Sequence, residues 1–98
     1  MHSPDKWVIL KVAEDLYKVL GGWQGGYLDG DSWRLSSGIV KIEDDGDFHL
    51  IHNHSGSIYK CHKDCEGMTM EMNGIYIQAK ERHPEIECIL FDDYVKLN

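Results

Sequence analysis

The stretch SWRLSSGIVKIEDDGDFHLIHNHSGSIYKCHK, residues 32–63, decides the fold that the sequence predicts. Apolar and polar residues alternate in it between two short runs rich in Asp, Gly and Ser, which is typical of strands joined by tight turns. We therefore expect three consecutive strands at residues 32–43, 48–53 and 57–62. Gly46 lies in the first of the two turns, where a positive φ is often required.

The first of these strands changes phase along its length. Trp33 and Leu35 share one face of an ideal strand, whereas Val40 and Ile42 fall on the opposite face. A shift of one residue in the alternation indicates a β-bulge, and Gly38 is the position at which we expect it.

Two further strands precede this stretch. Residues 6–12 and Leu16–Trp23 are rich in β-branched and aromatic residues and are separated by a short polar run, so we expect a hairpin. Gly21 and Gly22 near its end indicate a bulge or a sharp bend. Residues 24–31 hold three glycines and two aspartates and are predicted to form a loop.

A helix and a last strand follow the central stretch. Apolar residues recur at three- and four-residue spacing over residues 68–82, which predicts a helix, and residues 85–91 are typical of a strand. This order predicts an α+β fold, a twisted antiparallel sheet of about five to six strands with one helix packed on one face. The length of 98 residues fits a single domain, residues 1–98.

The chain is acidic. Its 17 Asp and Glu residues exceed its 10 Lys and Arg residues, which gives a formal net charge of −7. Such a chain is repelled by nucleic-acid phosphates and by anionic lipid, so we expect no direct binding to nucleic acid and no membrane partner. There is no apolar run long enough for a membrane helix and no signal peptide, which predicts a cytoplasmic protein with reduced cysteines.

Acidic residues concentrate in the predicted turns and loops. A solvated corner is the ordinary explanation of an acidic turn, but clustered carboxylates can also replace the phosphates that a basic protein binds. An aromatic side chain on the same surface would anchor a protein partner. The residues that we predict to bind a partner are Tyr27, Asp29, Asp31, Glu43, Asp44, Asp45 and Asp47.

The central stretch also contains the residue types that zinc prefers. His52 and His54 are separated by one residue and Cys61 and Cys65 by three, and imidazole and thiolate are common zinc ligands. Neighbouring strands of a hairpin would bring the two pairs together. Against this, the histidines lack the spacing of structural zinc sites, and free cysteines are often buried as small apolar residues. The four residues are the predicted metal ligands if zinc is bound, and no other cofactor is expected.

Other chemistries find less support. Cys61 and His62 are adjacent on a predicted strand and point to opposite faces, so they should not form a nucleophile and base. Cys65 with another histidine stays open. The acidic turn lacks the calcium-loop pattern, and the glycine run at residues 21–26 lacks the spacing of a phosphate-binding loop. We therefore do not expect an enzyme.

Two segments carry a resemblance to a known family. They are YKVLGGWQGGYLDGDSWRLSSGI, residues 17–39, followed by IEDDGDF, and SGSIYKCHK, residues 55–63. From about residue 7 to residue 63 the chain resembles small uncharacterised bacteriophage and prophage proteins that contain SGSxYxCHK, whereas the chain from residue 68 fits poorly. That family has no established activity and implies no site residue. It implies a setting, because small acidic phage proteins often bind and inhibit a host protein, including defence machinery such as CRISPR effectors.

The sequence as a whole predicts a non-enzymatic protein-interaction module. In this interpretation it is a phage-type accessory protein that docks on a host protein, and with a basic nucleic-acid-binding partner it would act as an inhibitor of the anti-CRISPR kind. Two alternatives stay open. One is a small zinc-binding domain, and the other is a structural or self-associating β domain, since an exposed strand at residues 85–91 could pair with another chain.

Overall fold

A computed structural model describes residues 1–25 and 30–97 of the chain. A short 3-10 helix, Lys63–Cys65, follows the sixth strand. The strands are β1 Lys6–Ala13, β2 Leu16–Trp23, β3 Ser32–Leu35, β4 Ile39–Asp45, β5 Phe48–Asn53, β6 Ile58–His62 and β7 Glu87–Ile89, and the helices are α1 Met70–Arg82 and α2 Phe91–Leu97.

The strands form two antiparallel sheets. One sheet has the order β3-β2-β1-β7 and the other has the order β4-β5-β6. The predicted α+β class and the antiparallel pairing are confirmed. The strands are divided over two sheets instead of one, however, and the C-terminal tail adds a second helix. Neither described helix is long and apolar enough to span a membrane.

Strand β1 lies at the centre and is buried on both faces. Trp7 and Ile9 point into a core between the two sheets, whereas Val8 and Leu10 point to the opposite face, where they pack with Met72 of α1. Burial of an apolar side chain of this size stabilises the fold by about 1.5–3 kcal/mol. Successive residues of one strand therefore hold α1 and both sheets together.

The glycine pair in β2 marks close packing, and the bulge predicted there is absent. The register between β1 and β2 is regular at both glycines. A Cβ on Gly22 would lie 2.7 Å from Cγ of the buried Met72, and a Cβ on Gly21 would lie 3.1 Å from Cβ of Pro4. Both glycines are there because neighbouring side chains occupy the space that a Cβ would fill.

The predicted third strand is two strands, β3 and β4, in different sheets. The Ser36 N–H donates to the Val19 carbonyl at 2.9 Å, and the Ser36 hydroxyl accepts from the Val19 N–H at 2.8 Å. The chain then crosses to the other sheet at Gly38. The change of phase in the sequence therefore reflects a change of sheet and no bulge at Gly38. The register shift lies instead between Ile39 and Lys41.

In the C-terminal third, the helix and the strand have other bounds than predicted. Helix α1 begins two residues later than predicted, because the hydroxyl of Thr69 accepts the Met72 N–H at 3.1 Å and caps the helix. Strand β7 has three residues, fewer than predicted, and forms an edge beside β1. Helix α2 follows, and its buried Tyr94 fills the core between the sheets.

Candidate interaction surface

The acidic turn predicted at residues 44–47 forms the tip of the β4–β5 hairpin. Asp45 pairs with Phe48 across a two-residue turn in which Gly46 has a φ of 63°. The Asp44 carboxylate accepts the Gly46 N–H at 3.2 Å. A glycine in the left-handed region and an aspartate bonded two residues on are what a tight turn requires. The acidic side chains from Glu43 to Asp47 are exposed.

Lys63 ties this tip to the end of β6. Its Nζ lies 2.7 Å from Oδ2 of Asp44, and its backbone N–H donates to the Asp47 carbonyl at 2.9 Å. The hydrogen bond from Lys63 and its positive charge lower the pKa of Asp44 below the ordinary value. The tip is thereby held in place before any partner arrives, which lowers the entropy lost on binding.

The acids of the tip differ in the basic groups near them. Oε1 of Glu43 lies 2.5 Å from Nε2 of His52 and 3.7 Å from Nζ of Lys41. Asp45 and Asp47, by contrast, form no ion pair within residues 1–25 and 30–97. Two exposed carboxylates at the tip therefore lack a counter-charge among the described residues.

Helix α2 adds an acid that is not among the predicted partner-binding residues. The ring of His49, on the inner face of β5, stacks on Phe91 with centroids 3.7 Å apart. Burial lowers the pKa of His49, whereas the charges of Asp44 and Asp92 raise it. Both carboxylates are therefore near one imidazole, Asp44 from β4 and Asp92 from α2. We call Glu43, Asp44, Asp45, Asp47 and Asp92 the acidic tip.

The sequence contains acids at the position where α2 begins. Asp92 and Asp93 directly follow an apolar run, and acids are enriched in the first turn of a helix. That pattern is compatible with the first turn of a helix, but it does not place the helix beside β5.

Of the remaining predicted partner-binding residues, Tyr27, Asp29 and Asp31, the structure describes only Asp31. Asp31 is exposed and precedes β3, which belongs to the other sheet. Tyr27 and Asp29 lie outside the described residues. The single acidic surface predicted from the sequence is therefore divided, with Asp31 apart from the hairpin.

The predicted zinc ligands are not brought together. Cys61 lies opposite His49, and His52 lies opposite Ile58. Because side chains alternate along a strand, His52 shares the outer face with Glu43, whereas Cys61 is buried between the sheets. Burial raises the pKa of Cys61 to about 12, which disfavours the thiolate that a metal or a nucleophilic reaction needs.

The other two candidate ligands do not complete a metal site. His54 is exposed in the turn after β5, and Cys65 is half-buried in the 3-10 helix after β6. In the part of the chain that the structure describes, no group of three or more His, Cys, Asp or Glu side chains is placed to hold a metal ion. The hypothesis that His52, His54, Cys61 and Cys65 form one zinc site is therefore corrected.

Comparisons with protein-family models, with curated proteins and with solved structures gave no match. The resemblance to phage proteins, which depends on residues 17–39 and 55–63, stays a prediction. In the structure those residues contribute β2, β3 and β6.

Proposed function

We propose that this chain is a protein-interaction module that docks on a basic surface of a partner protein through its acidic tip. The observation that carries this proposal is that Asp45, Asp47 and Asp92 are exposed and form no ion pair with a described residue. The turn that presents Asp45 and Asp47 is fixed by Lys63.

The chemistry of the tip fits a partner that normally binds phosphates. Carboxylate oxygens accept charge-assisted hydrogen bonds from lysine and arginine, the same side chains that bind a nucleic-acid backbone. A tip held among those side chains would exclude the nucleic acid. This is the support for a phage-type accessory role as an inhibitor of a host nucleic-acid-handling or defence protein, exerted by occupancy and without catalysis.

The test is a capture experiment followed by direct binding. The tagged chain is incubated with a nuclease-treated bacterial lysate at low and high salt, and captured proteins are identified by mass spectrometry. We expect one stoichiometric basic partner that is retained at low salt and lost at high salt, because salt screens exposed charges. With that partner purified, the triple variant Asp45→Asn, Asp47→Asn, Asp92→Asn should bind about tenfold more weakly or worse.

A matched control separates the tip from net charge. Glu14→Gln, Asp15→Asn and Glu85→Gln together also remove three exposed carboxylates, none of them in the acidic tip. Asn is suitable for Asp15, whose φ is 60°. This control should keep its affinity. If both triple variants weaken binding equally, overall charge is responsible, and if neither does, the proposal fails.

A further inference from the structure

Strand β3 is an edge strand whose outer side has no partner in the described structure. It pairs only with β2, and its four side chains are exposed. The Ser36 N–H points towards β2. Because bonded and non-bonded pairs alternate in an antiparallel ladder, Ser32 and Arg34 also direct their backbone groups to β2, whereas Trp33 and Leu35 direct theirs outward. No described group bonds to these outward N–H and C=O groups.

A groove lies on each face of this edge. On the face towards the other sheet, Arg34 and Trp23 line a groove of about 400 Å³. On the face towards α1, Trp33, Ile75 and Arg82 line a groove of about 210 Å³. Since successive side chains of a strand point to opposite faces, a strand added beside β3 would place its side chains alternately in the two grooves.

Two cationic side chains lie at this edge of an acidic chain, although the exposed Asp31 precedes the strand. The sequence contains only two arginines, Arg34 and Arg82, and each lines one of the two grooves. Neither forms an ion pair or a side-chain hydrogen bond with a described residue. Beside them Trp33 is 43% exposed and Leu35 is 39% exposed. Guanidinium groups next to apolar side chains suit a ligand with carboxylates next to apolar side chains.

We propose that β3 binds an extended acidic segment of a partner protein by strand addition. The backbone of that segment pairs with the outward groups of Trp33 and Leu35. Its apolar side chains contact Trp33 and Ile75 in the groove beside α1, where Arg82 adds positive charge, and its carboxylates face Arg34 on the other side. Main-chain bonds supply affinity in this mode and the alternating grooves supply specificity. This surface is independent of the acidic tip, which requires a basic partner.

The probe is a fluorescein-labelled peptide of eight residues that alternates valine and glutamate, titrated with the protein by fluorescence anisotropy. One control peptide has lysine in place of glutamate and is titrated with the Asp45→Asn, Asp47→Asn, Asp92→Asn variant, in which the acidic tip cannot bind it. A second control peptide has proline at its centre, which removes a backbone donor and breaks an added strand. We expect the valine–glutamate peptide to bind and both controls to bind at least about tenfold more weakly. Equal binding of the lysine peptide would overturn the charge assignment and with it the proposal.

Variants of the protein locate the site. Arg34→Glu should weaken the peptide about tenfold. Leu35→Pro should abolish binding, because it removes an outward N–H while the bonds from β3 to β2 stay intact. The matched control is Lys41→Glu, which reverses an exposed cation on β4, the open edge of the other sheet, and should leave binding unchanged. Circular dichroism checks that each variant is folded.

Two further results would overturn the proposal. One is unchanged affinity in both Arg34→Glu and Leu35→Pro. The other is a chain that sediments as a dimer and does not bind the peptide, which would show that a second copy occupies the edge. A monomer that binds the peptide, with binding lost in Leu35→Pro, is the result expected.

Discussion

Strands β3 and β4 follow each other in the chain, and each forms an open edge of a different sheet. Both are largely exposed, but their side chains differ. Strand β4 presents Lys41, Glu43 and Asp45 on its outer face, whereas β3 presents Trp33 and Leu35. Charged side chains discourage another strand from pairing with an edge, and apolar ones permit it. One edge is therefore suited to binding by charge and the other to binding by backbone hydrogen bonds.

The largest effect on stability should come from proline at a position of β3 whose N–H points to β2. Proline at the next position, whose N–H points outward, serves as the comparison. Arg34→Pro removes an N–H that bonds to β2 and should destabilise the fold by about 2–3 kcal/mol. Leu35→Pro, one residue further, removes an outward N–H and should cost less than about 1 kcal/mol. Urea unfolding of the two variants measures the difference. Equal losses would show that the assignment of outward groups is wrong.

The two edges belong to different sheets, and a hydrogen bond joins these sheets. Trp7 Nε1–H of β1 donates to the His62 carbonyl of β6 at 2.7 Å. Trp7→Phe removes this buried bond and part of the ring, so we expect a loss of about 1–3 kcal/mol in urea unfolding. Trp23→Phe is the control, because its indole N–H donates to the exposed Ser3 carbonyl at 3.0 Å. A loss as large in the control would deny the inter-sheet bond a special role.

Removing the charges of β4 should make it behave like β3. The variant Lys41→Val, Glu43→Val places apolar side chains along an exposed edge, so we expect association that increases with protein concentration in sedimentation experiments. Its stability should change by no more than about 0.5 kcal/mol at low concentration. Glu14→Val with Lys11→Val, near the β1–β2 turn and outside β4, should remain monomeric. Association of both variants alike would reflect general hydrophobicity.

The smallest effect on stability should come from the protonation of His49, which lies near the acidic tip. Burial lowers the pKa of His49 below 6.5 in the folded state. The unfolded chain then binds more protons than the folded chain below that pH, so this contribution to stability is present above pH 6.5 and is lost as the pH falls towards the folded-state pKa. The urea midpoint should therefore be lower at a pH of about 5.5 than at a pH of about 7.5.

Variants assign this pH dependence. His49→Gln should reduce it, and the dependence that remains should decrease further with His2→Gln, because burial and the charge of Arg34 lower the pKa of His2 as well. A pH dependence unchanged in His49→Gln would contradict the assignment. Peptide binding at β3 should be the same in His49→Gln as in the unchanged protein, since His49 belongs to the other sheet.

The sequence predicted local features well and long-range contacts poorly. The bounds of β2 and β5 and the turn at Gly46 followed from alternation and turn chemistry. The separation of β3 from β4 did not, because a bulge and a change of sheet produce the same change of phase. Lys63 meets Asp44 across 19 residues of chain, and no local pattern indicates such a contact.

The zinc hypothesis failed for a related reason. The spacing of His52 and Cys61 indicates that both lie in one hairpin, but the faces on which they lie depend on its register. In the structure the register places His49 opposite Cys61, so His52 faces away from the core. Helix α2 was missed because seven residues give too few turns for a periodic pattern.

Strand β1 has a consequence for how this chain comes apart. Its successive side chains belong alternately to two cores, so we expect the opening of one core to disturb the other. Amide protons of β1 should exchange only through unfolding of the whole chain. A chain shortened before α1 would expose Val8, Leu10 and Leu20 on one flat sheet face, a surface prone to aggregate. We therefore expect no smaller part of the chain to fold alone, and experiments on either edge should use the whole chain.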